Sequence, residues 1–191
     1  MAINIYTMGE TGHGKTTLTA AIMYCLGAAY PNLQEGAISG ADASGVSREK
    51  YATPAHRYAH ADGPCSQREA ILLRDPMDIG LLVVAASDGP MPGTRDAIAS
   101  AKKAGVSNLV VFLNKSDVVG DAELCELVEM EVRDLLSSQK YAGDDIAVVT
   151  GSATAALASA GTPDDPKAAS IFALVDAIDK SASSVSSNLS R

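Results

Sequence analysis

The length, composition and charge of the chain exclude several kinds of protein. Its 191 residues, of which 47% are apolar, suffice for one domain with a single buried core. The formal charge of −8 and the pI near 4.8 argue against non-specific binding of nucleic acid or anionic lipid, because Lys and Arg supply most of the affinity for phosphate backbones.

The cysteines and the apolar segments indicate a compartment. Cys25, Cys65 and Cys125 are odd in number and lack the close spacing of a zinc site or a disulfide framework, so we predict reduced thiols. Cys25 and Cys125 are expected to be small buried apolar residues. The chain shows neither a basic, leader-like N-terminus nor an apolar run long enough to span a bilayer, and we expect a soluble, cytoplasmic protein without membrane contacts.

Strands and helices alternate in the first half of the chain. The patterns predict a strand over 3–8, a helix over 18–26, a short strand over 57–61 and a helix over 67–73. Between Pro31 and Ala52, glycines lie among Ala, Ser and Asp without sustained periodicity, so this segment is predicted to be a mobile loop.

The same alternation continues in the second half. The apolar run over 79–86 is typical of a central parallel strand that helices cover on both faces. The remaining predictions are strands over 109–113 and 146–150 and helices over 94–104, with Thr94 as the N-cap, over 122–139 and over 171–181. The whole pattern predicts one α/β domain over residues 1–180 with a parallel sheet, followed by a Ser-rich, disordered tail over 181–191.

A phosphate-binding loop is predicted between the first strand and the first helix. The stretch Gly9–Thr17 has the spacing of a phosphate loop, a glycine followed by four residues and then Gly-Lys-Thr. Glycines allow backbone N–H groups to converge on a phosphate, Lys15 can reach the β and γ oxygens, and Thr16 can bind Mg²⁺. The predicted phosphate-binding residues are Gly9, Gly12, His13, Gly14, Lys15, Thr16 and Thr17.

A second motif follows the strand over 109–113 and predicts the base. In Asn114–Asp117, the Asp117 carboxylate can accept hydrogen bonds from N1 and the exocyclic amine of guanine. Asn114 is expected to brace neighbouring loops, and Lys115 is expected to lie along the base. Parallel sheets bind ligands at the carboxyl ends of their strands, and all the candidate groups follow predicted strands: the phosphate loop, Asp62, Asn114–Asp117 and Ser152.

These motifs belong to five stretches that together carry a resemblance to a known family. They cover residues 14–22, 57–60, 82–92, 111–117 and 126–133, within a match that extends from Ile3 to about Leu157. The chain resembles the GTP-binding domain of the elongation factor Tu family of translational GTPases. The resemblance implies a three-layer P-loop NTPase fold, with a mostly parallel six-stranded sheet and helices on both faces. It also implies binding of GTP or GDP with Mg²⁺, a metal site of Thr16 and Asp62, and backbone contacts from Ser152 and Ala153 to the guanine O6.

Two elements that sense the γ-phosphate depart from this family. The family follows its Mg²⁺-linked Asp with x-Pro-Gly-His, whereas here Cys65 takes the Gly position and Ser66 the His position. In the family, that Gly donates an N–H to the γ-phosphate and that His positions the attacking water, so Ser66 is the candidate catalytic residue although its side chain is short. The Arg-Gly-Ile-Thr of the first switch has no clean counterpart over 36–51, where Ser44 and Ser47 are weak substitutes for its Thr. Since phosphoryl transfer depends on positioning, we expect slow or absent hydrolysis.

Three functions remain open from the sequence. The first is a guanine-nucleotide-binding domain with Mg²⁺, and the second is an active GTPase in which Ser66, Cys65 or a partner such as the ribosome restores turnover. The third is a regulator that competes with full-length elongation factor for its nucleotide-exchange factor, because the helix over 122–139 corresponds to the family helix that docks this partner. The family also carries two β-barrel domains that complete its tRNA site, so we do not expect this chain alone to deliver tRNA.

Overall fold

A parallel sheet with one antiparallel edge strand forms the centre of the fold. The computed structural model describes residues 2–34, 41–74 and 76–188. Within them the sheet has six strands, namely β1 (Ile3–Gly9), β2 (Ser47–Ala52), β3 (Arg57–Asp62), β4 (Ile79–Ala85), β5 (Asn108–Asn114) and β6 (Ala147–Thr150). Their order is β2-β3-β1-β4-β5-β6, and β2 runs antiparallel to β3 while the other neighbouring pairs are parallel.

Helices cover both faces of this sheet. They are α1 (Lys15–Ala29), α2 (Arg68–Arg74), α3 (Pro92–Lys103), α4 (Ser116–Val119), α5 (Ala122–Ser138), α6 (Ala153–Leu157) and α7 (Ala169–Asn188), with 3₁₀ segments at Pro31–Leu33 and Cys65–Gln67. One buried apolar cluster joins α1, α6 and α7 to one face, and a second joins α2, α3 and α5 to the other. This three-layer arrangement confirms the predicted fold class. Among the described helices, none is long and apolar enough to cross a bilayer.

The central strands bring the candidate residues to one edge of the sheet. Every residue of β4 is buried, as expected for a parallel strand that helices cover on both faces. Gly9 at the end of β1 pairs with Val83, and Ala85 at the end of β4 pairs with Asn114 at the end of β5. The carboxyl ends of three neighbouring strands therefore meet where α1 begins.

The edge strand β2 corrects the loop that was predicted between Pro31 and Ala52. It pairs with β3 so that Tyr51 lies opposite Tyr58. Both tyrosines are buried, their ring centres are 5.3 Å apart, and the Tyr51 hydroxyl bonds the His60 ring at 3.0 Å. The strand forms because of these contacts across β3, which local periodicity does not reveal.

The start of α3 also differs from the prediction. Met91 is the N-cap of this helix, and Thr94 stands three residues later, at the third helical position. The Thr94 hydroxyl accepts a hydrogen bond from the backbone N–H of Met91 at 3.2 Å. Thr94 thus caps the helix from inside its first turn, as the reciprocal residue of a capping box.

The closing helix is longer than the sequence predicted. α7 continues to Asn188, through most of the segment that was predicted to be disordered from Ser181, because Ala182 and Val185 pack into the core. Two other parts of these predictions lie outside the described residues: 35–40, which include Gly36 and Gly40, and 189–191.

Candidate nucleotide-binding site

The phosphate loop connects β1 to α1 and depends on its glycines. Gly9, Gly12 and Gly14 have φ angles of +139°, +84° and +91°, a region that other residues rarely adopt. A Cβ atom at Gly9 would lie 2.3 Å from the carbonyl oxygen of Val83, and one at Gly14 would lie 2.3 Å from Nδ2 of Asn114. The loop can therefore pass this close to β4 and β5 only with glycine at both positions.

Lys15, the first residue of α1, folds back over this loop. Its ammonium group donates to the carbonyl oxygen of Glu10 at 2.9 Å and to that of Gly9 at 3.3 Å. Thr16 and Thr17 follow in the first turn of α1, whose N–H groups have no partners within the helix and carry the positive end of its dipole. An ammonium group and helix amides are the groups that a phosphate loop offers to an anion.

Thr16 and Asp62 meet at the end of β3 and offer oxygen ligands for a cation. The Thr16 hydroxyl donates to Oδ2 of Asp62 at 2.7 Å, while the buried Oδ1 has no hydrogen-bond partner among the described residues. Burial raises the pKa of the Asp62 carboxyl, although the Thr16 hydrogen bond and the Lys15 ammonium lower it in part. Mg²⁺ prefers a few such oxygen ligands and takes the others from phosphates and water. The orphaned oxygen therefore fits the implied magnesium site.

Asn114, the last residue of β5, joins two loops. Its Nδ2 donates to the carbonyl oxygen of His13 at 3.0 Å, and its Oδ1 accepts from the backbone N–H of Ala153 at 3.0 Å. The residue is only 3% exposed. One buried amide group thus holds the phosphate loop and the loop after β6 together.

Asp88 lies between His13 of the phosphate loop and Lys115. Lys115 has a left-handed backbone, with φ +64°, and its Nζ lies 4.0 Å from Oδ2 of Asp88. The same oxygen lies 3.8 Å from Nε2 of His13, whose Nδ1 accepts from the Ala85 N–H at 3.2 Å. Burial lowers the pKa of His13, although the Asp88 carboxylate raises it in part. His13 is therefore a packed loop residue, and Asp88 is a further residue beside the candidate site, to which the sequence motifs gave no role.

The Asn114–Asp117 motif also lies beside the loop that follows β6. The N–H of Ser116 donates to the carbonyl oxygen of Gly151 at 3.1 Å, and the N–H of Gly151 donates to that of Leu113 at 2.9 Å. Asp117 occupies the first turn of the short helix α4 and is exposed. A carboxylate in this position is accessible to a base, and its contact with guanine stays a prediction.

Ser152 and Ala153 shape the loop on the other side of the predicted base. The Ser152 hydroxyl caps α6 by accepting the N–H of Ala155 at 3.0 Å. The N–H of Ala153 is already engaged with Asn114. The two residues order this loop, and their contacts with the guanine O6 stay predictions.

Cys65 and Ser66 lie in the 3₁₀ segment after β3. The Cys65 thiol donates to the carbonyl oxygen of Gly9 at 3.2 Å and lies 3.4 Å from Oγ1 of Thr11 and 3.6 Å from Nζ of Lys15. Burial alone would raise the pKa of the Cys65 thiol, but the Thr11 hydrogen bond and the Lys15 ammonium outweigh it, and the pKa lies below its ordinary value. Ser66 is exposed. Cys65 therefore contacts the phosphate loop through three groups.

Comparison with known families decides the class of protein. The family model described as the elongation factor Tu GTP binding domain matches residues 1–184. The chain belongs to this family. Membership makes it a GTP-binding domain related to the translational GTPases, and it confirms the resemblance drawn from the sequence motifs.

The first switch of the elongation factor Tu family is expected over residues 36–51, and the structure describes residues 41–51 of this segment. The hydroxyl of Ser44 bonds Oδ1 of Asp42, which also accepts the N–H groups of Ser44 at 2.8 Å and Val46 at 3.2 Å. Ser47 begins β2 and is half-buried. The Ser44 hydroxyl is thus engaged in a local turn, in keeping with the prediction from the sequence, which assigned the metal site to Thr16 and Asp62 alone.

Glu10 ties the phosphate loop to α3 through a contact that the sequence did not predict. Its carboxylate accepts the N–H groups of Thr11 at 2.8 Å and Gly93 at 2.9 Å, and Arg68 donates to the carbonyl oxygen of Gly93 at 3.4 Å. A Cβ atom at Gly93 would lie 2.3 Å from the Glu10 carboxylate. The partner of Glu10, Gly93, lies 83 residues away, so the sequence gives no sign of this contact. The one signal is that Glu10 stands among the loop glycines.

Proposed function

We propose that this elongation-factor-Tu-type domain binds GTP and GDP together with Mg²⁺ and hydrolyses GTP slowly or not at all. The observation that carries the proposal is the Asn114 side chain, which hydrogen-bonds the phosphate loop at His13 and the loop after β6 at Ala153. A nucleotide that spans Lys15 and Asp117 would then meet one continuous surface. The two motifs are held together by a buried group, which supports one site rather than two unrelated ones.

Each part of a guanine nucleotide has a matching group in this surface. The Lys15 ammonium and the first amides of α1 would bind the β- and γ-phosphates. Thr16 and Asp62 would hold Mg²⁺, which neutralises phosphate charge when bound. The Asp117 carboxylate would accept hydrogen bonds from N1 and the exocyclic amine of guanine, whereas N1 of adenine is itself an acceptor. Specificity for guanine would follow from this difference.

Slow hydrolysis follows from the residue at position 66. A group that positions the attacking water must lie within hydrogen-bond reach of it. Ser66 is shorter than the histidine of the family, and its hydroxyl lacks a ring nitrogen that takes up a proton near neutral pH. Loss of such a group typically lowers the rate by about 10²–10⁴-fold. We therefore expect a chain that binds GTP but turns it over poorly.

Isothermal titration calorimetry tests the binding half of the proposal. We expect the wild type to bind GDP and GTP in preference to ATP, and Asp117→Asn to bind xanthosine diphosphate in preference to GDP. Asp164→Asn makes the same charge change at an exposed carboxylate and should leave GDP affinity as it is. Equal affinity for ATP and GTP, or wild-type GDP affinity in Asp117→Asn, would contradict the placement of the base.

Single-turnover hydrolysis of GTP, with and without ribosomes, tests the other half. We expect wild-type cleavage close to the background of Lys15→Ala, and a rise of about 10²-fold or more in Ser66→His. Gln67→His places the same imidazole one residue away and should leave the rate at background. Rapid wild-type cleavage that Lys15→Ala abolishes would instead support the active GTPase, in which Ser66, Cys65 or a ribosomal group restores turnover.

A regulator that competes for the nucleotide-exchange factor is a second candidate function. Leu124, Leu127 and Met130 follow one another along α5 at intervals of three residues and are 43%, 48% and 56% exposed. Such a row of exposed apolar side chains is typical of a docking surface. A pull-down should recover the exchange factor with the wild type and with Asp134→Asn but not with Leu127→Lys, which makes the same charge change. Failure of the wild type to recover it would remove this candidate.

A further inference from the structure

Cys65 packs against three groups of the phosphate loop. Its sulfur lies 3.2 Å from the Gly9 carbonyl oxygen, 3.4 Å from the Thr11 hydroxyl and 3.6 Å from the Lys15 ammonium nitrogen. Cys25 and Cys125 are buried, whereas Cys65 is partly exposed. Cys65 is therefore the cysteine that combines partial exposure with direct contacts to the phosphate loop.

A second observation, next to Lys15 in the fold, points to a ligand. The carboxylate of Asp62 is buried, with the residue 3% exposed, yet its Oδ1 has no hydrogen-bond partner among the described residues. Its other oxygen is bonded by Thr16, which directly follows Lys15. An unpartnered buried carboxylate oxygen beside the phosphate-loop lysine is expected where a bound cation and phosphates complete the site.

The sulfur and the terminal phosphate of a nucleotide would need the same place. In a phosphate loop the lysine ammonium binds the β- and γ-phosphates. Here the Lys15 ammonium donates to two loop carbonyls and lies against the Cys65 sulfur. A γ-phosphate bound to Lys15 would have to displace this sulfur or cover it.

We propose that Cys65 is a modification site for low-molecular-weight disulfides and that a modified Cys65 and a bound nucleoside triphosphate exclude each other at Lys15. The inference rests on the proposed binding of GTP. An adduct on Cys65 would occupy the mouth of the loop next to the ammonium group, and a bound triphosphate would shield the sulfur from reagent. The protein would then bind GTP only while this thiol is reduced.

The modification is a thiol–disulfide exchange and needs no other reactant. The Cys65 sulfur loses its proton to solvent and attacks one sulfur of a small disulfide such as oxidised glutathione. A new S–S bond forms between Cys65 and that half, the original S–S bond breaks, and the second half leaves as a thiolate that takes up a proton. The lowered pKa of Cys65 increases the fraction of thiolate that can attack.

Treatment of the full wild-type chain, followed by peptide mass spectrometry, tests the first half of this inference. The protein is treated with oxidised glutathione without nucleotide, with GDP and Mg²⁺, or with a non-hydrolysable GTP analogue and Mg²⁺, and the adducts on the three cysteine peptides are followed in time. We expect the analogue to slow modification of Cys65 about tenfold or more, and GDP to slow it less, because GDP lacks the γ-phosphate. The buried Cys25 and Cys125 serve as internal controls and should react slowly under all three conditions.

Calorimetry on the modified protein tests the second half. Glutathionylated wild type should bind the GTP analogue about tenfold more weakly or worse, and dithiothreitol should restore the affinity. Cys65→Ser should show no change in affinity after the same treatment. This inference alone is overturned if Cys65 reacts at the same rate when the GTP analogue saturates the protein. It is also overturned if modification of Cys65 leaves the affinity for the analogue unchanged. Absence of GDP and GTP binding by the reduced protein overturns the proposed function and this inference together.

Discussion

Replacing Asn114 with alanine should destabilise the protein and weaken its binding of GDP. The substitution removes the amide group that bonds the His13 carbonyl oxygen and the Ala153 N–H, each at 3.0 Å. Both partners would remain near the buried end of β5, where Asn114 itself is 3% exposed. Two backbone polar groups would therefore lose their hydrogen bonds without gaining full access to water.

The size of the effect follows from these two groups. A buried polar group that loses its partner costs about 1–3 kcal/mol, so the unfolding free energy without nucleotide should fall by about 2–6 kcal/mol. Binding should also weaken, because GDP would have to align two loops that Asn114 now holds together. A realignment cost of about 1.4 kcal/mol corresponds to a tenfold rise in Kd, which we take as the minimum expected.

Urea unfolding without nucleotide and calorimetric titration with GDP measure the two effects. Asn108→Ala is the matched control at the other end of β5, where the half-buried amide donates to the carbonyl oxygen of Asp78 at 3.4 Å and to the Ser107 hydroxyl at 3.2 Å. It should cost less than about 1 kcal/mol and leave GDP affinity as it is. Equal effects of Asn114→Ala and Asn108→Ala would refute the bridging role.

A double-mutant cycle measures whether position 14 and the Asn114 side chain are in contact. A Cβ atom at Gly14 would lie 2.3 Å from Nδ2 of Asn114, so Gly14→Ala in the wild type creates a clash as well as strain at φ +91°. In the Asn114→Ala background the clash is gone, and only the backbone strain of about 1–2 kcal/mol remains. The double variant should therefore be more stable than the sum of the single effects predicts. Strict additivity would show that the two side chains do not meet.

Three further outcomes are expected from the site and its support. The pKa of His13 is near 6.5 in the unfolded state, and burial lowers it in the folded state. The contribution of His13 to stability is therefore complete above pH 6.5 and is lost as the pH falls. In urea unfolding, His13→Gln should lose less stability than the wild type between pH 7.5 and 5. EDTA should weaken GDP binding in the wild type and do so less in Thr16→Val, as measured by calorimetry, since that variant lacks the hydroxyl beside Asp62. Arg133→Ala should lower the unfolding free energy by about 2–4 kcal/mol without changing GDP affinity, because this guanidinium bonds Glu129 and the backbone carbonyls of residues 143, 144 and 146. Arg95→Ala removes an exposed arginine and serves as the control. An unfolding free energy that Arg133→Ala leaves unchanged would contradict this prediction.

The sequence predicted those parts of the fold that are specified by contiguous residues. The apolar run over 79–86 predicted the buried strand β4, and the strand, glycine-rich loop and helix around Lys15 predicted how β1 leads into α1. In both cases the signal and the structure occupy the same short stretch of chain. The family match supports the functional conclusion drawn from the same motifs.

The parts that the sequence did not predict have no clear periodicity of their own. β2 forms because Tyr51 packs on Tyr58 of β3, and nothing between Pro31 and Ala52 alternates clearly enough to predict a strand. The helices α4 and α6 have four and five residues, which is too short for a helical period to appear.

Contacts in the candidate site were likewise only partly predictable from the sequence. The motif identified Asn114 as a bracing residue, but its two partners, one of them 101 residues away, could come only from the structure. The motif identified Cys65 as a replacement for glycine and as a group that could restore turnover, but its contact with Lys15 joins residues 50 positions apart and could come only from the structure. Residue types are visible in a sequence, whereas the pairs that they form are set by the packing of the whole domain.

Asn114 and Ser66 are supported differently by the fold, and this difference bears on the proposal that binding and hydrolysis are separable. The buried Asn114 bonds two loops, so we expect a substitution there to lower folding free energy as well as GDP affinity. Near the predicted γ-phosphate position, Thr11 and Ser66 are exposed and Cys65 is partly exposed. Exposed positions of this kind usually change stability by less than about 0.5 kcal/mol when substituted. The packing therefore constrains Asn114 more than positions 11 and 66, and we expect Ser66→His to be accommodated without opposing the packing of the domain.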